Sequence, residues 1–349
     1  MPADRLYAQT NSPESNEVIV FRSQPEGTLL PAGRYRTDGF GTGVDIGAEG
    51  AVDSQGSLRL SDDRRFLFAV NAGSNDISSF AVVNGGLRLV GKVASGGPGP
   101  VSLAVRGDLL YVANKFGRGG IAGFRIDPDG ELKPLQGSAR PLSADGAAPA
   151  QLSFTPNGRF LVLTELATDR IVTYKIDQNG RAGAPRSTPS AGQTPFGFAF
   201  DIEGRIVVSE AFRNAPDASA VSSYRITSSG SLVAISGSVP TTETSACWVA
   251  TTPDGQYTYT SNSLSGSISG YRVDPDGTLE LLDSDGRTGV TGEGSRPIDM
   301  AISDDGSYLY VLNGGSQTVA VFEVQLGGGL AQLPYVGGVP DGAVGLVAA

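Results

Sequence analysis

Histidine is absent from all 349 residues. That omission removes the Ser–His–Asp triad, the Cys–His pair, the histidine general base and every histidine-ligated metal site. Carboxylates are then the natural bases for any hydrolysis, since lysine or tyrosine would need a strongly shifted pKa. Cysteine is nearly absent too. Cys247 stands alone, so neither an intrachain disulfide nor a thiolate cluster can form, and its apolar flanks read as core filler. No run of apolar residues approaches a transmembrane length, and the opening MPADRLYAQT lacks the basic and apolar segments of a secretory signal. The expectation is a cytoplasmic protein. A net charge of −10 with a scattered acidic excess argues against nucleic acid and anionic membrane as partners.

What is abundant is turn chemistry, with 49 glycines and 21 prolines between short alternating strands. One phrase recurs: MAISDDGSYLY at 300–310, LSFTPNGRFLV at 152–162, FAFDIEGRIVV at 198–208, VATTPDGQYTY at 249–259, LRLSDDRRFLF at 58–68 and LAVRGDLLY at 103–111. Each copy is an alternating strand, an Asp/Gly turn and a second alternating strand, which is a hairpin. A later strand ends in an aromatic at Phe21, Phe80, Phe124, Tyr174, Tyr224, Tyr271 and Phe322, with successive gaps of 44 to 59 residues. Four strands in about fifty residues is the size of a propeller blade. The spacing predicts an all-β, seven-bladed propeller of four-stranded antiparallel blades, spanning 1–349 as one domain. The first unit lacks its first strand, and PDGAVGLVAA at 340–349 resembles it, so these residues should close the ring. A linear solenoid, the alternative, would not split a repeat between the two ends.

Superposing the repeats puts Asn71, Asn114, Glu165, Glu210, Asn262 and Asn313 at one point beyond the second strands, with Asn11 as the first unit's member. Pointing inward, they would make a channel ring of amides and two carboxylates; the alternative is bonding to turn backbone. A second set, Ser57, Ser102, Gln151, Gly197, Trp248 and Asp299, begins the first strands, and Arg296 and Asp299 are expected to approach the channel together. Trp248 reads either as packing or as an apolar wall for an organic ligand. No cofactor is required by this sequence; the oxygen-rich set is compatible with Ca²⁺ or Mg²⁺. The glycine-rich insertion 38–56 and the widened connection 212–219 are the expected seats of specificity.

The phrases GPGPVSLAV, APAQLSFTPNGRFLVLTE, TPFGFAFDIEGRIVVSEAF, ACWVATTPDGQYTYTSN and SRPIDMAISDDGSYLYVLNGG resemble the seven-bladed lactonase family over nearly the whole chain. That family includes bacterial 6-phosphogluconolactonase and fungal carboxy-muconate lactonising enzymes, and the chain looks like an uncharacterised branch of it. In the family's enzymes a Gly-Pro-Arg-His phrase opens a middle blade and supplies an Arg and a His that act on substrate. Here that phrase is Ala148, Pro149, Ala150 and Gln151, whereas Glu165 matches the family's glutamate. The resemblance implies a hydrolase that opens a small lactone or related cyclic ester, other than ordinary 6-phosphogluconolactone. Glu165 or Glu210 would activate water. Asn114, Asn262 or Gln151 would orient the carbonyl, and Arg296 would meet an acidic substituent. A muconate-type cycloisomerase and a non-catalytic scaffold for a small ligand or a protein are the alternatives; an organic acid is the other small-molecule partner that fits.

Overall fold

The Asp/Gly turn of the repeated phrase is built the same way in successive units. Asp254 Oδ1 takes a bond from Thr252 Oγ1 at 2.6 Å and from Gln256 N at 3.0 Å, and Asn157 does the same with Thr155 and Arg159. The glycine that follows sits in the left-handed region, at φ 70° for Gly158, 71° for Gly255 and 72° for Gly306, where a side chain is strained. These closed turns force the flanking residues into antiparallel pairs.

The computed structural model describes residues 5–43 and 52–349. It contains seven sheets arranged as blades. The fourth blade is representative, running Pro149–Phe154, Phe160–Glu165, Arg170–Ile176 and Ala182–Pro189 from the innermost strand outward. In the sixth, Gly289–Val290 adds a further short pairing to the third strand. The first blade closes as the sequence predicts. Val344–Ala348 pairs with Arg5–Gln9, setting Leu6 opposite Ala348 and Ala8 opposite Leu346. No innermost strand is left for a solenoid cap, so the linear alternative is excluded.

Blade packing forms the core. The seven third-strand aromatics predicted from the repeat, Phe21 through Phe322, are all buried. Two tyrosines among them also satisfy backbone where one blade leads into the next: Tyr174 Oη donates to Pro141 O in the connection at 3.0 Å, and Tyr271 Oη to Val239 O near the end of the preceding blade's outer strand at 3.1 Å. Large rings at this position therefore serve twice, filling the space between blades and holding the chain that joins them.

Five of the seven innermost strands are entered through a kink. Gly99, Ala148, Thr194, Ser245 and Arg296 immediately precede strands and all have φ between 51° and 65°. Register then slips between Pro149 and Gln151, and likewise between Pro100 and Ser102 and between Pro297 and Asp299. A bulge of this kind re-aims side chains at a barrel or propeller mouth.

Candidate active site at the propeller mouth

Asn71, Asn114, Glu165, Glu210, Asn262 and Asn313 do occupy equivalent points, each being the last residue of a second strand. In the first blade the equivalent is Thr10, whose N–H bonds Glu17 O, so Asn11 lies one residue too far on. The expected orientation needs correction. All six are buried, and their partners lie in their own blade, in the connection leading into it or, for Asn71, also in the preceding blade. Asn71 Nδ2 donates to Asp76 Oδ1 and to Ser78 Oγ, and its Oδ1 accepts Asn16 Nδ2 at 2.8 Å. Asn262 Nδ2 donates to Ser267 Oγ and Ser269 Oγ at 3.0 and 2.9 Å. Asn313 Nδ2 reaches Thr318 Oγ1 at 3.3 Å, and Asn114 Nδ2 reaches Ser95 O at 3.3 Å.

The two glutamates are held more tightly. Glu165 accepts Ser143 N at 2.8 Å, the Ser143 hydroxyl, and Thr168 Oγ1 at 2.6 Å. Glu210 accepts Gly192 N at 2.8 Å, Ser222 Oγ at 2.6 Å and Ser238 Oγ at 2.7 Å. A carboxylate whose oxygens are taken by three donors is fixed in place and has few lone pairs left for a ligand. These side chains brace the connections between blades. Their separation also bears on metal: among the described residues no three Asp, Glu or Cys side chains gather as a cation site.

The pleat explains the shift. The residue after each brace faces the other way, and it is this next residue that meets the mouth. Leu166 and Ala211 pack with Phe196, Cys247, Trp248 and Ile298, while Ala72 packs with Val52 and Val101. Lys115, which follows Asn114, is the charged member of this series.

The first-strand set is turned inward, but as staples between blades. Gln151 Oε1 accepts Phe198 N at 2.6 Å and its Nε2 donates to Phe198 O at 2.9 Å. Ser102 Oγ donates to Gln55 O at 2.6 Å and accepts Leu152 N at 2.9 Å. Asp299 accepts Met300 N at 2.8 Å and, from the closing strand, Leu346 N at 2.9 Å. Burial drives the Asp299 carboxyl up to about 7, against the pull of those two N–H groups and of Arg59. Asp299 and Gln151 thus spend their polar atoms on neighbouring strands, and the cation whose charge acts on Asp299 is Arg59.

Sequence patterning missed what fills the centre. Of the insertion 38–56, residues 44–51 lie outside the described residues; Val52 to Ser57 enter the ring. Gln55 N donates to Ala150 O at 3.0 Å, and the Gln55 side chain spans to the sixth blade, bonding Val249 N at 3.1 Å and Val249 O at 2.7 Å. Ser54 Oγ donates to Val101 O at 2.7 Å, and Trp248 Nε1 donates to Ser54 O at 3.1 Å. Trp248 is buried, with its ring 4.8 Å from Phe196. Its role is packing beneath this segment. Cys247 is buried beside it, the thiol pushed well up by desolvation.

Asp53 rides on that segment at the mouth. It is half-buried, and its Oδ1 is buried without a hydrogen-bond partner. Desolvation raises its pKa above the ordinary carboxylate value, and the charges of Lys115 and Arg296 oppose the rise. Burial lowers the Lys115 ammonium in turn, with Asp53 opposing. One carboxylate and two cations therefore share a partly desolvated spot over an aromatic floor. Arg296 is the one catalytic candidate from the sequence that reaches it. The widened connection 212–219 forms a short 3₁₀ turn at Phe212–Asn214, where Arg213 pairs with Asp169 at 2.8 Å.

A family model described as "Lactonase, 7-bladed beta-propeller" matches residues 45–334. An uncharacterised protein of Staphylococcus epidermidis is 24% identical over 308 residues, 81% of this chain and 85% of its own length. Among solved structures, a putative 6-phosphogluconolactonase of Bacteroides fragilis is 23% identical, covering 98% of this chain and 96% of that one, with a TM-score of 0.74. The periplasmic gluconolactonase PpgL of Pseudomonas aeruginosa is 20% identical, covering 98% of each chain, also with a TM-score of 0.74. At such identities the solved structures speak for the fold. No helix among the described residues is long and apolar enough to cross a membrane.

Proposed function

The chain belongs to the seven-bladed β-propeller lactonase family, and from that premise we propose that it hydrolyses a small lactone carrying an acidic substituent. The observation that supports this most is the meeting of Asp53, Lys115 and Arg296 at the mouth. Arg296 meets the substrate's acidic group, a recognition suited to a guanidinium. Asp53 takes a proton from water as the water oxygen bonds to the lactone carbonyl carbon. The carbonyl π electrons move to oxygen, and Lys115 faces that oxyanion. When the carbonyl re-forms, the ring C–O bond breaks and the departing alkoxide takes the proton held by Asp53. The product is an open hydroxy acid. A carboxylate raised by burial is a better base than an ordinary one and is active only when ionised. The rate should therefore climb with pH through a pKa above the usual carboxylate value.

No step in this scheme requires a metal; Ca²⁺ or Mg²⁺ held by substrate and Asp53 together is the variant to test beside it. One observation favours a second reading, a binding scaffold without chemistry: Glu165 and Glu210 are both fully engaged in bracing. A panel of acidic and neutral lactones, incubated with metal-stripped protein with and without added Ca²⁺ or Mg²⁺ and read by acid release, separates these readings. Asp53→Asn should lower turnover by roughly 10²-fold or more. Arg296→Gln should raise KM for acidic lactones while leaving neutral ones unaffected. Loss in folded Glu165→Gln with Asp53→Asn unaffected would return the base to Glu165. Inactivity across the panel would favour the scaffold.

A further inference from the structure

The Asp/Gly turns lie at the far end of each second strand from the mouth, and cavities open between blades on that opposite face. One, of about 510 Å³, is lined by the turn 155–160 of the fourth blade and by 202–205 and 225–228 of the fifth. Another, of about 440 Å³, is lined by the corresponding residues of the second and third blades, within 61–66, 107–108 and 126–128. The repeat thus builds the same cavity twice, with opposite charge. Asp62, Asp63, Asp108 and Asp127 line the smaller one, against Arg65. Arg159, Arg205 and Arg225 line the larger one, against Glu203.

Comparing equivalent residues shows which of these cations are uncommitted. Arg65 and Arg205 each reach the outer turn of the next blade, at Pro128 O (3.1 Å) and Pro275 O (2.5 Å). Arg159 is their equivalent, facing Ser228 instead of a proline, and its guanidinium forms no hydrogen bond or ion pair with a described residue. It stands 5.9 Å from the centre of the Phe160 ring. Arg225 is the equivalent of Arg125 and Arg272. Arg125 pairs with Asp108 at 2.6 Å, and Arg272 pairs with Asp274 and Glu280. The guanidinium of Arg225 has no such partner. The reason lies in the turn that follows: DPDG at 127–130 and 274–277 becomes TSSG at 227–230. Thr227 Oγ1 accepts Ser231 N at 3.0 Å, doing without charge what Asp127 does for Glu131 N at 2.8 Å. In a chain of net charge −10, two cations in one cavity without acids of their own are the exception.

We propose that this cavity binds a diphosphate group, one phosphoryl on Arg159 and the other on Arg225, with the Ser228 hydroxyl donating to it. Guanidinium forks match phosphoryl oxygens, and two joined anionic centres answer cations on two walls. Both arginines are exposed, so the affinity comes from their convergence on one concave site of small-molecule size rather than from burial. The site is on the opposite face from Asp53 and does not depend on the lactonase reading.

The test is calorimetric titration of the full chain, free of divalent metal, with pyrophosphate, ADP and citrate. Pyrophosphate should bind saturably and citrate much more weakly. ADP binding as tightly as pyrophosphate assigns the group to an organic ester, and pyrophosphate binding alone assigns it to the free ion. Arg159→Ala, Arg225→Ala and Thr227→Asp should each weaken binding by at least about tenfold. The last restores the acid that the other turns carry, and the same turn is held by Asp127 and Asp177 elsewhere in the ring, so the fold is kept. Arg65→Ala, in the acidic cavity, and Asp53→Asn, at the mouth, should leave binding unchanged. Absence of saturable binding, equal binding of citrate, or indifference to Arg159→Ala, Arg225→Ala and Thr227→Asp overturns the proposal. Binding lost in Asp53→Asn but kept in those three also overturns it, by moving the anion to the mouth.

Discussion

Glu165 shows how a residue's place can be read from sequence while its surroundings cannot. Its place at the end of a second strand was legible, because the hairpin phrase fixes register. Its direction was not, because the kink and slipped register at the entry to its blade's innermost strand shift which neighbour faces the mouth. Three donors converge on its carboxylate, so Glu165→Gln turns an acceptor into an N–H₂ group facing a donor. That should cost roughly 1–3 kcal/mol, read as a lowered midpoint in urea, with the 139–145 connection more exposed to hydrogen exchange. Asp53 was beyond reach for another reason: it lies in an irregular glycine-rich stretch with no period to mark it. Asp299 was expected to approach the channel, and its environment makes a pH prediction. Its pKa is about 7 when folded against 3.8 ordinarily, so the folded protein holds the proton more tightly. The contribution is fully present below pH 4 and is lost as pH rises through 7. Stability of the native chain relative to Asp299→Asn should fall across that window; a flat difference in unfolding free energy would sink the assignment.

At the scale of the element, the hairpins were the most readable part of the chain, since their turns draw on Asp, Asn, Ser and Gly for local reasons. Gly204 isolates the backbone term. It has φ 76°, and a Cβ placed there would meet nothing closer than Pro156 at 4.0 Å. Gly204→Ala should therefore cost about 1–2 kcal/mol from conformation alone, seen as a drop in Tm with unchanged contacts. The segment 52–57 is the opposite case. It has almost no strand of its own, yet it ties three blades together through Ser54, Gln55 and Trp248. Nothing local in SQG announces that. Its position depends on partners roughly 50 to 190 residues away, which a repeat pattern cannot encode. Gln55→Ala should loosen the centre, raising hydrogen exchange at Val249 while the hairpins stay protected.

For the whole molecule, the split repeat was the decisive signal, and the ring it implied is present in full. Deleting 344–349 should do more than remove one strand. It strips Asp299 of Leu346 and exposes the inner edge of Arg5–Gln9, so we expect a loss of cooperative unfolding and a tendency to associate, measured by calorimetry and sedimentation. The same closure sets a clock on synthesis. The strand beginning at Arg5 waits for a partner beginning at Val344. At roughly 5–20 residues per second the ribosome needs on the order of 17–70 s to deliver it. Throughout that interval the nascent first blade carries an unpaired inner edge, so its survival in the cell depends on what shields it before the chain is finished.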